Sequence, residues 1–176
     1  MIRRLYAAVL TLCLAAAAAV MPADLRASTT IPGMSNPAPV GAASLSFLGF
    51  TVYRGRLFTE EGRNFVPGQP VALEIVYNRN FTAGQMLDTT RSELRRVEPD
   101  GSGHDQIVAR LQECFRDVSQ GDSFLAVSPT PDRLRLWLNG SATCDVQGDG
   151  IGERFLSIWL SENSRFPRLS RQLRGM

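Results

Sequence analysis

The sequence predicts an α+β domain: a large antiparallel sheet with helices packed on one of its faces. Strand-like and helix-like segments come in runs, strands first, then two helices, then strands and one or two further helices, where an α/β fold would alternate them. Within the strand-like segments Arg54, Arg56, Glu74, Arg133 and Arg135 stand opposite aliphatic neighbours, the alternation of a sheet with one wet and one covered face. Asn139-Gly140 joins two such segments as a two-residue hairpin, which makes them antiparallel.

Arg3 and Arg4 precede an uncharged apolar stretch, Leu5 to Val20, and small residues then offer cleavage after Ala19, Ala23 or Ala27. That order of parts is the pattern of a secretory signal peptide, assigned to residues 1–27. The stretch is short and alanine-rich against the roughly 20 strongly apolar residues of a membrane span, so a retained anchor is the weaker reading. Cys13 follows Leu12 inside it, where a lipid-modified cysteine would want a small predecessor, and it is read as part of the signal. Residues 28–40, rich in Ser, Thr, Pro and Asn, read as a flexible leader. Residues 41–176 read as one domain, long enough for a core of its own.

Leu45 to Phe58 alternates as two short strands turning near Gly49. Val71 to Tyr77 is a third, with Val71, Leu73, Ile75 and Tyr77 on one face and Glu74 on the other. Thr82 opens a helix: Gln85 three residues on completes a capping box, and Phe81 ahead offers a hydrophobic staple. Leu87, Thr90, Leu94 and Val97 form its stripe and Pro99 stops it. A second helix is predicted from about Asp105 to Val118 by the stripe Ile107, Val108, Leu111, Phe115 and Val118. Strands return at Phe124 to Ser128, Leu134 to Leu138 and Ser141 to Val146. Gly148-Asp149-Gly150 breaks to an apolar helix through Phe155, Ile158 and Trp159, and a short basic helix runs from Pro167 to Leu173.

All 19 basic residues are Arg; three of them, and one of the 17 acidic residues, precede Ser28, which leaves the remainder balanced at 16 of each. A balanced surface carries no electrostatic footprint for nucleic acid or an acidic membrane. The single His104, in a Gly-Ser-Gly linker, reads as a solvated side chain. One histidine without a positioned partner excludes most nucleophilic triads, and the Cys and His count cannot build a zinc site. Asp145 to Gly150 imitates the start of a calcium loop, but Leu156 stands at the twelfth position, where a bidentate Glu is needed, so a polar turn is expected. Arg95, Arg96 and the C-terminal Arg165, Arg168, Arg171 and Arg174 offer anion binding as one reading; solvated helix faces near C-termini, where cations suit the dipole, are the stronger one. Cys114 and Cys144 remain after signal removal; an oxidising compartment permits a bond between them, and two buried thiols are the alternative. No cofactor or metal is expected.

Three segments taken together resemble the bacterial chalcone isomerase-like family: Phe47 to Phe58 (F-L-G-F-T-V-Y-R-G-R-L-F), Ala72 to Glu93 (A-L-E-I-V-Y-N-R-N-F-T-A-G-Q-M-L-D-T-T-R-S-E), and Leu134 to Leu160. Their order and spacing carry the resemblance, which extends from about Gly41 onward. It implies an open-faced β-sandwich with a cleft between sheet and helices. In that cleft the plant enzyme of the family closes a chalcone to a flavanone, and related non-catalytic plant proteins hold fatty acids. The enzyme has an Arg on its first strand, a Thr on the next, and a Tyr and an Asn seven apart on its first long helix. Here the Tyr falls near Met86, the Asn on Glu93, the Thr near Tyr53, and the Arg around Gly41 or Ala42. A developing enolate needs a cation or several donors, which Met86 and Glu93 do not supply, so no chalcone isomerase activity is expected.

The resemblance and the signal pattern together imply an exported, non-catalytic domain, periplasmic or secreted. It would hold a fatty acid or other small hydrophobic ligand against Tyr53, Met86 and Glu93. Simple core packing of Tyr53 against Met86 is the bland alternative. Two functional alternatives stand beside it: an envelope structural or interaction module without a ligand, and an isomerase or lyase using other cleft residues, with Glu93 the candidate.

Overall fold

The structure, a computed structural model, describes residues 30–176. The expected signal segment, 1–27 with Cys13, lies outside the described residues. Six strands, β1 (Pro37–Phe47), β2 (Phe50–Glu60), β3 (Val71–Tyr77), β4 (Ser123–Thr130), β5 (Arg133–Leu138) and β6 (Ser141–Gln147), form one sheet in chain order. Every neighbouring pair is antiparallel. Four helices accompany them: α1 (Ala83–Val97), α2 (His104–Leu111), α3 (Ile151–Leu160) and α4 (Pro167–Leu173). The β1–β2 turn at Leu48-Gly49 and the β5–β6 turn at Asn139-Gly140 each place both residues at positive φ, the twist that suits a tight hairpin.

Period-two alternation sorts each strand. Leu57, Leu73, Ile75, Ala126, Leu134 and Leu136 are buried on the inner face, where they join Leu94, Leu111, Phe155 and Leu156 of the helices in one core. α3 lies on β4 and β5, and α4 on β1; α1 rests on α2 and α3 and meets the strands less closely. Two glycines permit the close contacts. A Cβ at Gly41 on β1 would collide with the Gln172 and Leu173 carbonyl oxygens of α4, and one at Gly152 would collide with Ser128 Oγ and the Arg133 carbonyl.

On the outer face, Arg56 and Glu74 are register partners and pair at 2.7 Å. Arg133 and Arg135 converge on Asp145 of β6. These pairs hold the carboxyl of Asp145 down to about 2, hydrogen bonds from Arg133 being the largest cause. The wet face is not wholly polar. Ile31, Phe58, Ala72 and Val127 form a small second core there, with Met34, Leu125 and Trp137 packed against it. This corrects the leader expected over 28–40: β1 already begins at Pro37, and Ile31 is 3% exposed. Glu60 pins the segment just before β1 by accepting the Ser35 and Asn36 N–H groups at 2.9 and 2.8 Å.

The α1 capping box forms as the sequence predicts: Thr82 Oγ1 accepts from the Gln85 N–H and Gln85 Oε1 from the Thr82 N–H. α2 is shorter than predicted. It ends at Leu111, because the chain turns away to pair Val118 with Phe81 and to bring Asp117 Oδ1 onto the Ala83 N–H at 2.8 Å. Phe115 and Val118 are still buried, so the stripe continues without the helix. Cys114, just past α2, is disulfide-bonded to Cys144 on β6, with Cα atoms 5.0 Å apart, which ties the helical layer to the edge strand. His104 is not solvated. It opens α2, buried, with Nε2 3.2 Å from Glu98 Oε2, and Arg154 of α3 holds the same carboxylate at 2.7 Å.

Candidate functional site: a cleft between the sheet and α1

Because α3 and α4 take the close contacts with the sheet, α1 leaves a gap over the near ends of β2 and β3. Alternation on these strands turns Tyr53 and Tyr77 inward. They are direct register partners, with ring centroids 6.5 Å apart. Met86, on the first turns of α1, comes down on them, and the Tyr77 hydroxyl donates to its Sδ at 3.5 Å. From α3, Trp159 donates its indole N–H to the Tyr53 oxygen at 3.1 Å. Tyr53, Tyr77, Met86, Phe115, Phe155 and Trp159 line a chamber of about 190 Å³.

This chamber shares Leu45, Tyr53, Thr89, Ile158 and Trp159 with a more polar one of about 480 Å³, so the two form one cleft with an apolar inner end and a polar mouth. Asp88, Ser92, Glu93, Ser164 and Arg165 stand around the mouth. Glu93 is buried, and its Oε1 accepts from Arg165 Nε at 2.6 Å. Arg96 lies 3.3 Å from Oε2, an ion pair without hydrogen-bond geometry. Two guanidiniums on one carboxylate give this group a formal charge of +1, with the Arg165 side chain half exposed toward the mouth.

Burial pushes the Tyr53 hydroxyl up to about 12; the Trp159 hydrogen bond offsets part of that, and the nearby Glu93 charge adds to it. Tyr77 is pushed up as well, by burial and then by Tyr53. Both phenols are therefore neutral donors near pH 7. The Tyr53 oxygen already accepts from Trp159, so its own proton is polarised for donation to a polar group in the cleft.

The structure brings the sequence-selected residues together: Tyr53 and Met86 line the inner chamber, and Tyr53 and Glu93 the mouth. Gly41 lies against α4, and Leu45 is the β1 residue that reaches the cleft. Three residues escaped the sequence reading as site members. Tyr77 was legible as inward-facing and Trp159 as part of an apolar helix, without the hydrogen bonds that give them roles. Arg165 reads from sequence as one of several C-terminal arginines, and nothing local ties it to the cleft, because its partner is 72 residues away. The calcium-like turn is occupied by ion pairs, Asp145 with Arg133 and Arg135, and Asp149 with Arg110. Among the described residues no group of three or more His, Cys, Asp or Glu is placed to hold a metal, and no helix is long and apolar enough to cross a membrane.

Residues 41–175 match the family described as chalcone isomerase-like, and the chain belongs to that family. An uncharacterized protein from Haemophilus influenzae is 27% identical over 137 residues, covering 78% of this chain and 67% of that protein. The crystal structure of a fatty-acid binding protein from Arabidopsis thaliana superposes with a TM-score of 0.61 at 11% identity, over 82% of this chain and 91% of the plant chain. At that identity the likeness is one of fold: an open antiparallel sheet with helices on one face.

Proposed function

We propose that this protein is an exported, non-catalytic binder of a small hydrophobic ligand, an acyl chain such as a fatty acid, held in the cleft between the sheet and α1. The observation that carries the reading is the two-part cleft itself. Its inner end is apolar with the Tyr53 phenol as a donor, and its mouth holds the half-exposed Arg165 guanidinium beside Glu93. The inner chamber alone is smaller than the roughly 300–1,000 Å³ of usual ligand sites, and the mouth brings the cleft into that range. An acyl chain would lie between Tyr77, Met86 and Phe155, with its head toward Tyr53 and Arg165. The fold likeness to a plant protein named for fatty-acid binding supports this ligand class.

A binding role without turnover is supported by the side chains in the enzyme's positions. Met86 offers only a sulfur, which already accepts from Tyr77, and Glu93 is committed to Arg165. Export is supported by the signal-like start of the sequence and by the Cys114–Cys144 bond, which an oxidising compartment sustains. A second reading, an interaction module, is favoured by the β1–β2 hairpin tip, where Phe47, Leu48 and Phe50 are 67%, 80% and 61% exposed.

Calorimetric titration with dodecanoate tests the first reading. The cleft reading expects saturable one-to-one binding to the wild type, lost in Thr89→Trp, which fills the cleft from an exposed helix position. Heats that are absent, or unchanged by Thr89→Trp, would overturn it.

A further inference from the structure

On the other side of α3, a second cavity of about 430 Å³ opens between the β2–β3 loop, the end of β4 and α3. The helix separates the two spaces. Phe155, Ile158 and Trp159 face the cleft, while Leu156, Ser157 and Leu160 face this cavity. Phe65, Val71, Leu156 and Leu160 make an apolar lining, and Ser161, whose oxygen already accepts from the Asn163 N–H, keeps its proton free to donate.

Into this cavity reaches Arg174, the residue that ends α4. The sequence suggests a solvated cation there, but its side chain is 14% exposed. Its Nε is buried with no hydrogen-bond partner among the described residues. Glu162 is the carboxylate nearest to it, at 3.7 Å from Nη1, beyond hydrogen-bond distance, and it projects into solvent. A guanidinium taken largely out of water without an acceptor is costly, and a carboxylate is its geometric complement. The volume lies within the usual range of small-molecule sites.

We propose that this cavity is a second binding site, for an amphiphile with a single carboxylate head and a short apolar body. The head pairs with Arg174, and the body lies along Phe65, Val71, Leu156 and Leu160. Glu153 and Glu162 also border the cavity, and their charge selects a monoanion over a dianion such as a phosphate monoester. α3 separates the site from the cleft, with different residues of the helix lining each.

The test is a titration of ¹⁵N-labelled full-length protein carrying Thr89→Trp, so that the cleft is filled, with sodium octanoate, observed at the arginine Nε–Hε resonances. The Arg174 signal is identified by its disappearance in Arg174→Gln. It should shift saturably with octanoate, and calorimetry should show Kd raised about tenfold or more in Arg174→Gln. Ser157→Trp, or Gln69→Trp from the loop wall if the first does not fold, should abolish the shift. Octylammonium, with the charge reversed, should produce none. An unmoved Arg174 signal, a shift that survives the filling variants, or equal binding of octylammonium would overturn the proposal. Octanoate binding that depends only on Thr89 would overturn it too, while leaving the cleft reading intact.

Discussion

Reducing the Cys114–Cys144 bond perturbs the fold at one point, and its cost follows from the chain length it closes. The cysteines are separated by 30 residues that include β4 and β5. Closing a loop of that length removes about 12 cal/mol/K from the unfolded chain, or about 3.6 kcal/mol at 25 °C. For a domain of this size that corresponds to a fall in Tm of about 10 °C. Urea unfolding of the oxidised protein, the reduced protein and the Cys114→Ala/Cys144→Ala variant measures it. Either single substitution should cost nearly as much as both together, because each breaks the same bond and the effects cannot add. Coincident midpoints for oxidised and reduced protein would show that the bond does not stabilise the fold by constraining the unfolded chain.

Three further outcomes are expected. Asp145 has its folded pKa lowered from 3.8 to about 2, so the stability from its pairs with Arg133 and Arg135 is present above about pH 4 and lost as pH falls through about 2. Since the side chain is 40% exposed, Asp145→Asn should cost under about 1 kcal/mol at neutral pH and flatten the acid limb of a denaturation profile; an unchanged limb contradicts this. Tyr53 has its folded pKa raised to about 12, so below about pH 10 it contributes no pH dependence, and stability falls as pH rises from there. The phenolate absorbance of Tyr53 should therefore appear only near pH 12 or on unfolding, and burial holds back that of Tyr77 as well; an ordinary titration near pH 10 would show the cleft to be wet. Thr82→Ala removes one half of the α1 capping box and should cost about 1 kcal/mol in chemical denaturation, with a null effect counting against the cap.

Local chemistry made much of this fold readable. Strand faces follow from period-two alternation, and β3 shows it with Leu73 and Ile75 inside and Glu74 outside, paired to Arg56. The start of α1 is written in Thr82 and Gln85, and the β5–β6 turn in Asn139-Gly140. What local pattern could not show is where the chain leaves its own periodicity for a distant partner. α2 stops at Leu111 because the Phe81–Val118 bridge outweighs a continued helical stripe. Ile31 reads as leader because the pocket that buries it is assembled from Phe58, Ala72 and Val127 on three strands. The cleft was placed by family resemblance at Tyr53, Met86 and Glu93. Its hydrogen-bonded frame depends on contacts 106 residues apart, Trp159 to Tyr53, and 72 apart, Arg165 to Glu93. Arg174 shows the same limit from the other side: a basic residue near a helix end reads as solvated until the fold covers it.

Native mass spectrometry of the protein, secreted into a bacterial periplasm and purified without detergent, reads directly whether the cleft carries a ligand. An additional mass of acyl-chain size is expected on the wild type, absent from Met86→Trp, in which the inner chamber is filled. A bare protein mass, with no thermal shift on adding fatty acids, would contradict it, and so would an adduct that Met86→Trp retains.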